Sequence, residues 1–153
     1  MLTNGVLEGV LSVHGNVSRE FERSVIRILP NVPRGISRLA ARSHLKIVVA
    51  STIVDYAPEL QNRQPQGYPA GDTWAHAEGI YRSASRVLIV AEGYLDQQNI
   101  MVQSDRPVGV LFHELGHGVS AALGNADLTN EFVTAYLHDV AKFIGTPLEK
   151  KLT

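Results

Sequence analysis

The sequence contains no cysteine, which excludes disulfides, thiolate metal ligands and a cysteine nucleophile together. It has no basic excess: 14 Lys and Arg face 15 Asp and Glu for a net charge of −1, and no basic cluster interleaved with aromatics marks a nucleic-acid surface. No apolar run reaches membrane-spanning length. Met1 to Val13 carries no basic segment ahead of an apolar run, so a classical signal peptide is not expected. Export would then need a leaderless or specialised route, or carriage within a larger toxin. Internal repeats, linkers and low-complexity tracts are missing as well. What remains, 44% hydrophobic and 19% charged in 153 residues, is an ordinary globular composition with chain enough for a core that needs no staple.

Residues 1–17 are Gly-rich and weakly patterned, and are expected to be loosely ordered; residues 18–153 form a single domain. Ser18 reads as an N-cap, with Glu20 and Glu22 in the first turn and Phe21, Val25, Ile28 and Leu29 at helical spacing. Pro30 and Pro33 end that helix, and a shorter one covers about Ile36 to Arg42. The β-branched run Leu45 to Ala50 reads as a strand. Residues 57–73, rich in Pro, Gly and Gln, form a long loop of the kind that is more often functional than idle. Ile80-Tyr81 and Arg86 to Ala91 flank Arg82-Ser83-Ala84-Ser85 and predict an antiparallel hairpin. Ser104 or Asp105 caps the next helix, Pro107 lies in its first turn and Gly124 stops it. A last helix runs from about Thr129 to Ile144.

The most informative residues lie in the first of these two helices. His113-Glu114-Leu115-Gly116-His117 is an H-E-x-x-H motif, whose imidazoles, four apart, can grip one zinc ion while the glutamate activates water. Composition alone would produce the motif roughly 0.01 times in such a chain, so its surroundings must decide. At about 100° per residue the two histidines lie about 40° apart on the helix. Val108, Leu111, Phe112, Leu115, Val119, Ala122 and Leu123 occupy the opposite side, and the residues nearest the histidines are small: Gly109, Gly116, Ser120 and Ala121. A greasy back with a low front suits a metal helix better than a solvated one.

Catalytic zinc usually takes three protein ligands and a water. A metzincin would place a histidine six residues beyond His117, where Leu123 stands, so that class is excluded. Asp127, Glu131, His138 and Asp139 remain as candidates for the third ligand. A short connection after Gly124 allows the last helix to pack antiparallel to the motif, which ranks Glu131 first. His138 and Asp139 are better suited to orienting a ligand imidazole. Trp74 and His76, beside the Gly-rich loop, are candidates to line a cleft, although a core tryptophan is as plausible.

The stretches Gly109-Val-Leu-Phe-His-Glu-Leu-Gly-His-Gly118 and Asn130-Glu-Phe-Val-Thr-Ala-Tyr-Leu-His-Asp139 resemble the metalloprotease domain of anthrax toxin lethal factor and its relatives, including the Pro-Pro endopeptidases. Gly67-Tyr-Pro-Ala-Gly-Asp-Thr-Trp74, Glu78 to Tyr81 and Val87 to Glu92 extend that resemblance over roughly residues 45–144. The resemblance implies a gluzincin: His113, His117 and Glu131 as ligands of one Zn2+ per chain, and Glu114 as general base. It also implies an edge strand within 87–91 (Val87, Leu88, Ile89, Val90) that takes substrate as an added strand. Those relatives carry a tyrosine shortly before the ligand glutamate to steady the tetrahedral intermediate. Gly124 to Asn130 has none, so Tyr136, a tyrosine from another segment such as Tyr68, or a different group would substitute.

The expected fold is α+β and zincin-like: N-terminal helices, a small, mainly antiparallel sheet, the motif helix and a C-terminal helix with the third ligand. The expected activity is that of a monomeric zinc metalloendopeptidase acting on a protein or peptide, as a secreted toxin or effector. The alternative is a catalytically silent metal-binding interaction domain.

Overall fold

A computed structural model of the chain describes residues 7, 10–65 and 69–122. Its centre is a four-stranded sheet of β1 (Leu11–His14), β2 (Lys46–Ala50), β3 (Gly79–Arg82) and β4 (Val87–Ala91), in the order β1-β2-β4-β3. The ladders from β1 to β2 and from β2 to β4 are parallel, and that from β3 to β4 is antiparallel. A second, two-stranded antiparallel sheet pairs β5 (Gly93–Leu95) with β6 (Met101–Gln103). The α+β expectation holds, as does the predicted hairpin. Among the described residues, however, antiparallel pairing is confined to β3–β4 and β5–β6. The reason lies in the connections: α1 (Arg19–Ile28) and α2 (Arg34–Arg42) separate β1 from β2, a crossover that returns the chain in the same direction.

β1 lies within a stretch expected to be loosely ordered. Its four residues pair in register with Ile47 to Ala50, and Leu7 is fully buried. The weak pattern of Leu-Ser-Val-His reflects a mostly exposed edge strand whose order comes from its partner.

Each early helix is bounded by local chemistry. Ser18 caps α1, its hydroxyl accepting from the Phe21 N–H at 3.1 Å. Glu92, just past β4, accepts from the Ser18 N–H and hydroxyl and so ties the start of α1 to the sheet. α2 ends where His44 adopts a left-handed φ of 60°. The Leu45 N–H bonds back to the Ala40 carbonyl and the His44 N–H to that of Ala41, a Schellman-type stop that launches β2.

β2 and β4 are apolar on both faces, and each face has its own core. Ile47, Val49, Leu88 and Val90 pack with Phe21, Val25, Leu29 and Ala40 from the helices, and with Leu111, Phe112, Leu115 and Val119 from α4 (Pro107–Ala122). Val48, Ala50, Val87, Ile89 and Ala91 pack on the other face against Ile80 and against Ile53, Ala57, Leu60 and Ala77, from α3 (Ile53–Tyr56) and the short turns after it. The sheet is thus the middle of three layers, with α1, α2 and α4 on one side.

Candidate active site

α4 carries the H-E-x-x-H residues. Pro107 takes its first position, where a missing N–H costs nothing, and the Arg106 carbonyl accepts the Val110 N–H at 3.1 Å. Ser104, one of the two expected caps, accepts from the Arg106 N–H only at 3.5 Å. Ser104 is buried, and its hydroxyl donates to Glu78 Oε1 at 2.7 Å. Leu111, Phe112, Leu115 and Val119 anchor the helix in the core as expected. Gly109, Gly116 and Ser120, expected on an open front, are buried, whereas His113 and His117 are exposed.

The two imidazoles stand edge to face, ring centroids 4.8 Å apart, with His113 Nε2 3.2 Å from His117 Nε2. Two nitrogens bound tetrahedrally at about 2.0–2.1 Å to one zinc lie roughly 3.3 Å apart. The pair therefore fits a shared metal ion without rearrangement. Partial loss of hydration from neighbouring protein atoms, the nearby His117 and the Arg106 guanidinium all hold His113 below the usual imidazole range, which keeps it in the neutral form that ligation requires. Among the described residues no third His, Asp or Glu joins them in a metal-sized group. Glu131, Tyr136, His138 and Asp139 lie outside the described residues, as does Tyr68.

Glu114 points elsewhere, toward β3. Loss of hydration pushes its carboxyl up to about 7, against the opposing pull of His117 and of a hydrogen bond from the Tyr81 main chain. A group poised near neutrality can both take and return a proton.

Of the two hairpin strands, β3 and not β4 lies at an edge of the sheet among the described residues. β4 pairs on both sides and all five of its residues are buried, so Val87, Leu88, Ile89 and Val90 have no edge to offer a substrate. The reason is hydrophobicity: an unbroken apolar run needs cover on both faces and belongs in the middle of a sheet. Trp74 follows the core alternative weighed for it. It packs against the core on the sheet face away from α4, and His76 Nδ1 accepts from the Thr73 N–H to close a capped turn.

Residues that sequence reasoning passed over fix β3 against α4. Arg106 bonds Glu78 Oε2 through Nε at 3.1 Å and Nη2 at 3.0 Å, and together with Ser104 pins the residue before β3 to the start of the helix. Gly79 lies so close to α4 that a Cβ there would run into Val110 Cγ1 and come within 3.1 Å of Glu114 Cγ. A Cβ on Gly118 would meet Leu45 and come within 3.3 Å of the Tyr81 ring. A glycine opening a strand was the available signal, since it often marks close approach of another element.

Neither a protein-family model nor a curated protein matches the sequence. Among solved structures, the chain is similar to that of the Pro-Pro endopeptidase (PPEP-2) from Paenibacillus alvei. The TM-score is 0.61 at 21% identity, covering 84% of this chain and 69% of that one. The likeness is one of fold: this chain has a Pro-Pro endopeptidase-like α+β fold.

Proposed function

We propose that this chain is a zinc-dependent endopeptidase of the gluzincin type. The observation that carries the reading is the His113–His117 nitrogen pair, 3.2 Å apart on α4, with a half-buried Glu114 between them. His113 and His117 would hold the ion, and Glu131 is the proposed third ligand. When bound, zinc supplies a Lewis acid that polarises the scissile carbonyl and makes its water acidic at neutral pH.

Glu114 takes the proton of the attacking water and returns it to the leaving amine. β3 receives the peptide as an added strand. Ala91 donates to the Glu78 carbonyl at 2.9 Å, and bonded pairs alternate along an antiparallel ladder. The main-chain groups of Gly79 and Tyr81 are therefore directed away from β4, toward an incoming strand. Tyr136 or Tyr68 remains the proposed oxyanion partner, and His138 and Asp139 the proposed orienting groups. The resemblance to the lethal factor group, and a secreted toxin or effector role, belong to this same proposal.

The neighbour's name makes Pro-Pro peptides the first substrates to try, within a wider peptide library. Wild type and Glu114→Gln are assayed together for bound zinc and for cleavage. Stoichiometric zinc in both, with cleavage by wild type alone, is the expected result. Zinc in both with no cleavage would favour a silent binding domain, and zinc in neither would overturn both metal readings.

A further inference from the structure

Along α4, Val110, Glu114 and Gly118 are spaced by four and form one ridge, and β3 runs along it. Gly79 abuts Val110 and Glu114, while the Tyr81 ring abuts Gly118. Glu114 therefore sits in the notch left by the absent Gly79 side chain, and the nearby Tyr81 main chain favours its charged form. Glu78, bonded to Ser104 and Arg106, fixes the height of β3 over the helix.

We propose that Gly79 and the Tyr81 main chain are the positioning device for Glu114, so that the strand that takes the peptide also aims the general base. This deepens the peptidase reading and rests on it for its kinetic test. A consequence is that the outward N–H of Tyr81 is committed to Glu114, leaving Gly79 and the Tyr81 carbonyl to bind an incoming strand.

A methyl at position 79 would press first on Val110, so Gly79→Ala alone risks misfolding. Val110→Ala clears that contact, and the informative pair is Val110→Ala against Gly79→Ala/Val110→Ala in the full chain. Both should bind zinc stoichiometrically and unfold at similar temperatures. The double variant should lose kcat by on the order of 10²-fold relative to Val110→Ala, because small misplacements of a reacting group cost that much, with KM within about twofold. A double variant that is folded, loaded and as fast as Val110→Ala would overturn the proposal. So would one that loses zinc, since Gly79 would then support the metal helix as a whole.

A second measurement needs no activity and stands even if the wild type cleaves nothing. In Glu114→Ala the Tyr81 amide should exchange with solvent at least about tenfold faster, while that of Ile80, turned toward β4, keeps its rate. Unchanged exchange at Tyr81 would show that its N–H does not hold the carboxylate.

Discussion

Strands β3 and β4 are the two halves of one hairpin, yet their sequences assign them different work. Val87–Ala91 is apolar at every position and buried throughout, and its side chains feed both cores. Gly79–Arg82 mixes a glycine, a tyrosine and an arginine, and only Ile80 among its residues is buried. One strand holds the sheet together; the other brings main-chain groups to Glu114. The proposed chemistry is thus placed at the less stable margin, next to a core that does not have to move.

The largest effect that would separate the two roles is catalytic. Glu114→Gln should lower kcat/KM by at least ~10²–10⁴-fold, the usual loss when a general base is removed, while zinc content and thermal midpoint stay near wild type. A comparable loss from a core substitution in β4, at a temperature where the protein remains folded, would break the comparison. Leu88→Ala supplies that contrast. Leu88 is fully buried on the α4 side of the sheet, and its truncation should cost roughly 2–5 kcal/mol, read as a lower midpoint in denaturant. Below that midpoint the KM of Leu88→Ala for peptide should be unchanged.

Much of this was legible in the sequence, for definable reasons. The metal motif is local, the caps and prolines bounding α1 and α2 are local, and the hairpin follows from two β-rich runs close together. What was misread depends on partners far along the chain. Whether Val87–Ala91 is central or marginal is decided by β2, whose register with it spans Lys46 to Ala50. The run itself held the clue, because five apolar residues without alternation ask for cover on both faces. β1 is short and mostly exposed and owes its order to β2, so propensity gave no warning of it. Gly79 stood only within the Glu78 to Tyr81 landmark, and its meaning came only with Val110 and Glu114 on the facing helix.

The pH response sharpens the contrast further. Burial holds the Glu114 carboxyl at about 7 in the metal-free fold, above its unfolded value of 4.5, so the folded state binds this proton more tightly. Its contribution to stability is complete below about 4.5 and is lost as pH rises through about 7. Metal-free wild type should therefore lose on the order of a few kcal/mol across that window relative to metal-free Glu114→Gln, measured by denaturant titration at a series of pH values. Zinc, when bound, would place its own positive charge near the carboxylate and should move the acid limb of kcat/KM to lower pH. A wild type and Glu114→Gln pair with parallel stability profiles would mean that Glu114 is not held in a dehydrated site.

The smallest effects test the comparison most finely, because each strand has one serine–glutamate tie at its end. Beyond β4, Glu92 accepts from Ser18 and anchors α1; before β3, Glu78 accepts from the buried Ser104. Ser18→Ala removes a helix cap and should cost about 1 kcal/mol. Ser104→Ala removes the hydroxyl's bond to Glu78 and a longer one from the Arg106 N–H, at a cost of about 1 kcal/mol, and leaves Arg106 to hold Glu78 alone. Equal losses of stability should then have unequal kinetic consequences. Loosening the start of β3 shifts the surface on which the peptide is laid, so Ser104→Ala should raise KM, whereas Ser18→Ala should leave both KM and kcat unchanged. If the two variants prove kinetically alike, the division of labour between the strands is wrong, and the hairpin acts as a single structural unit.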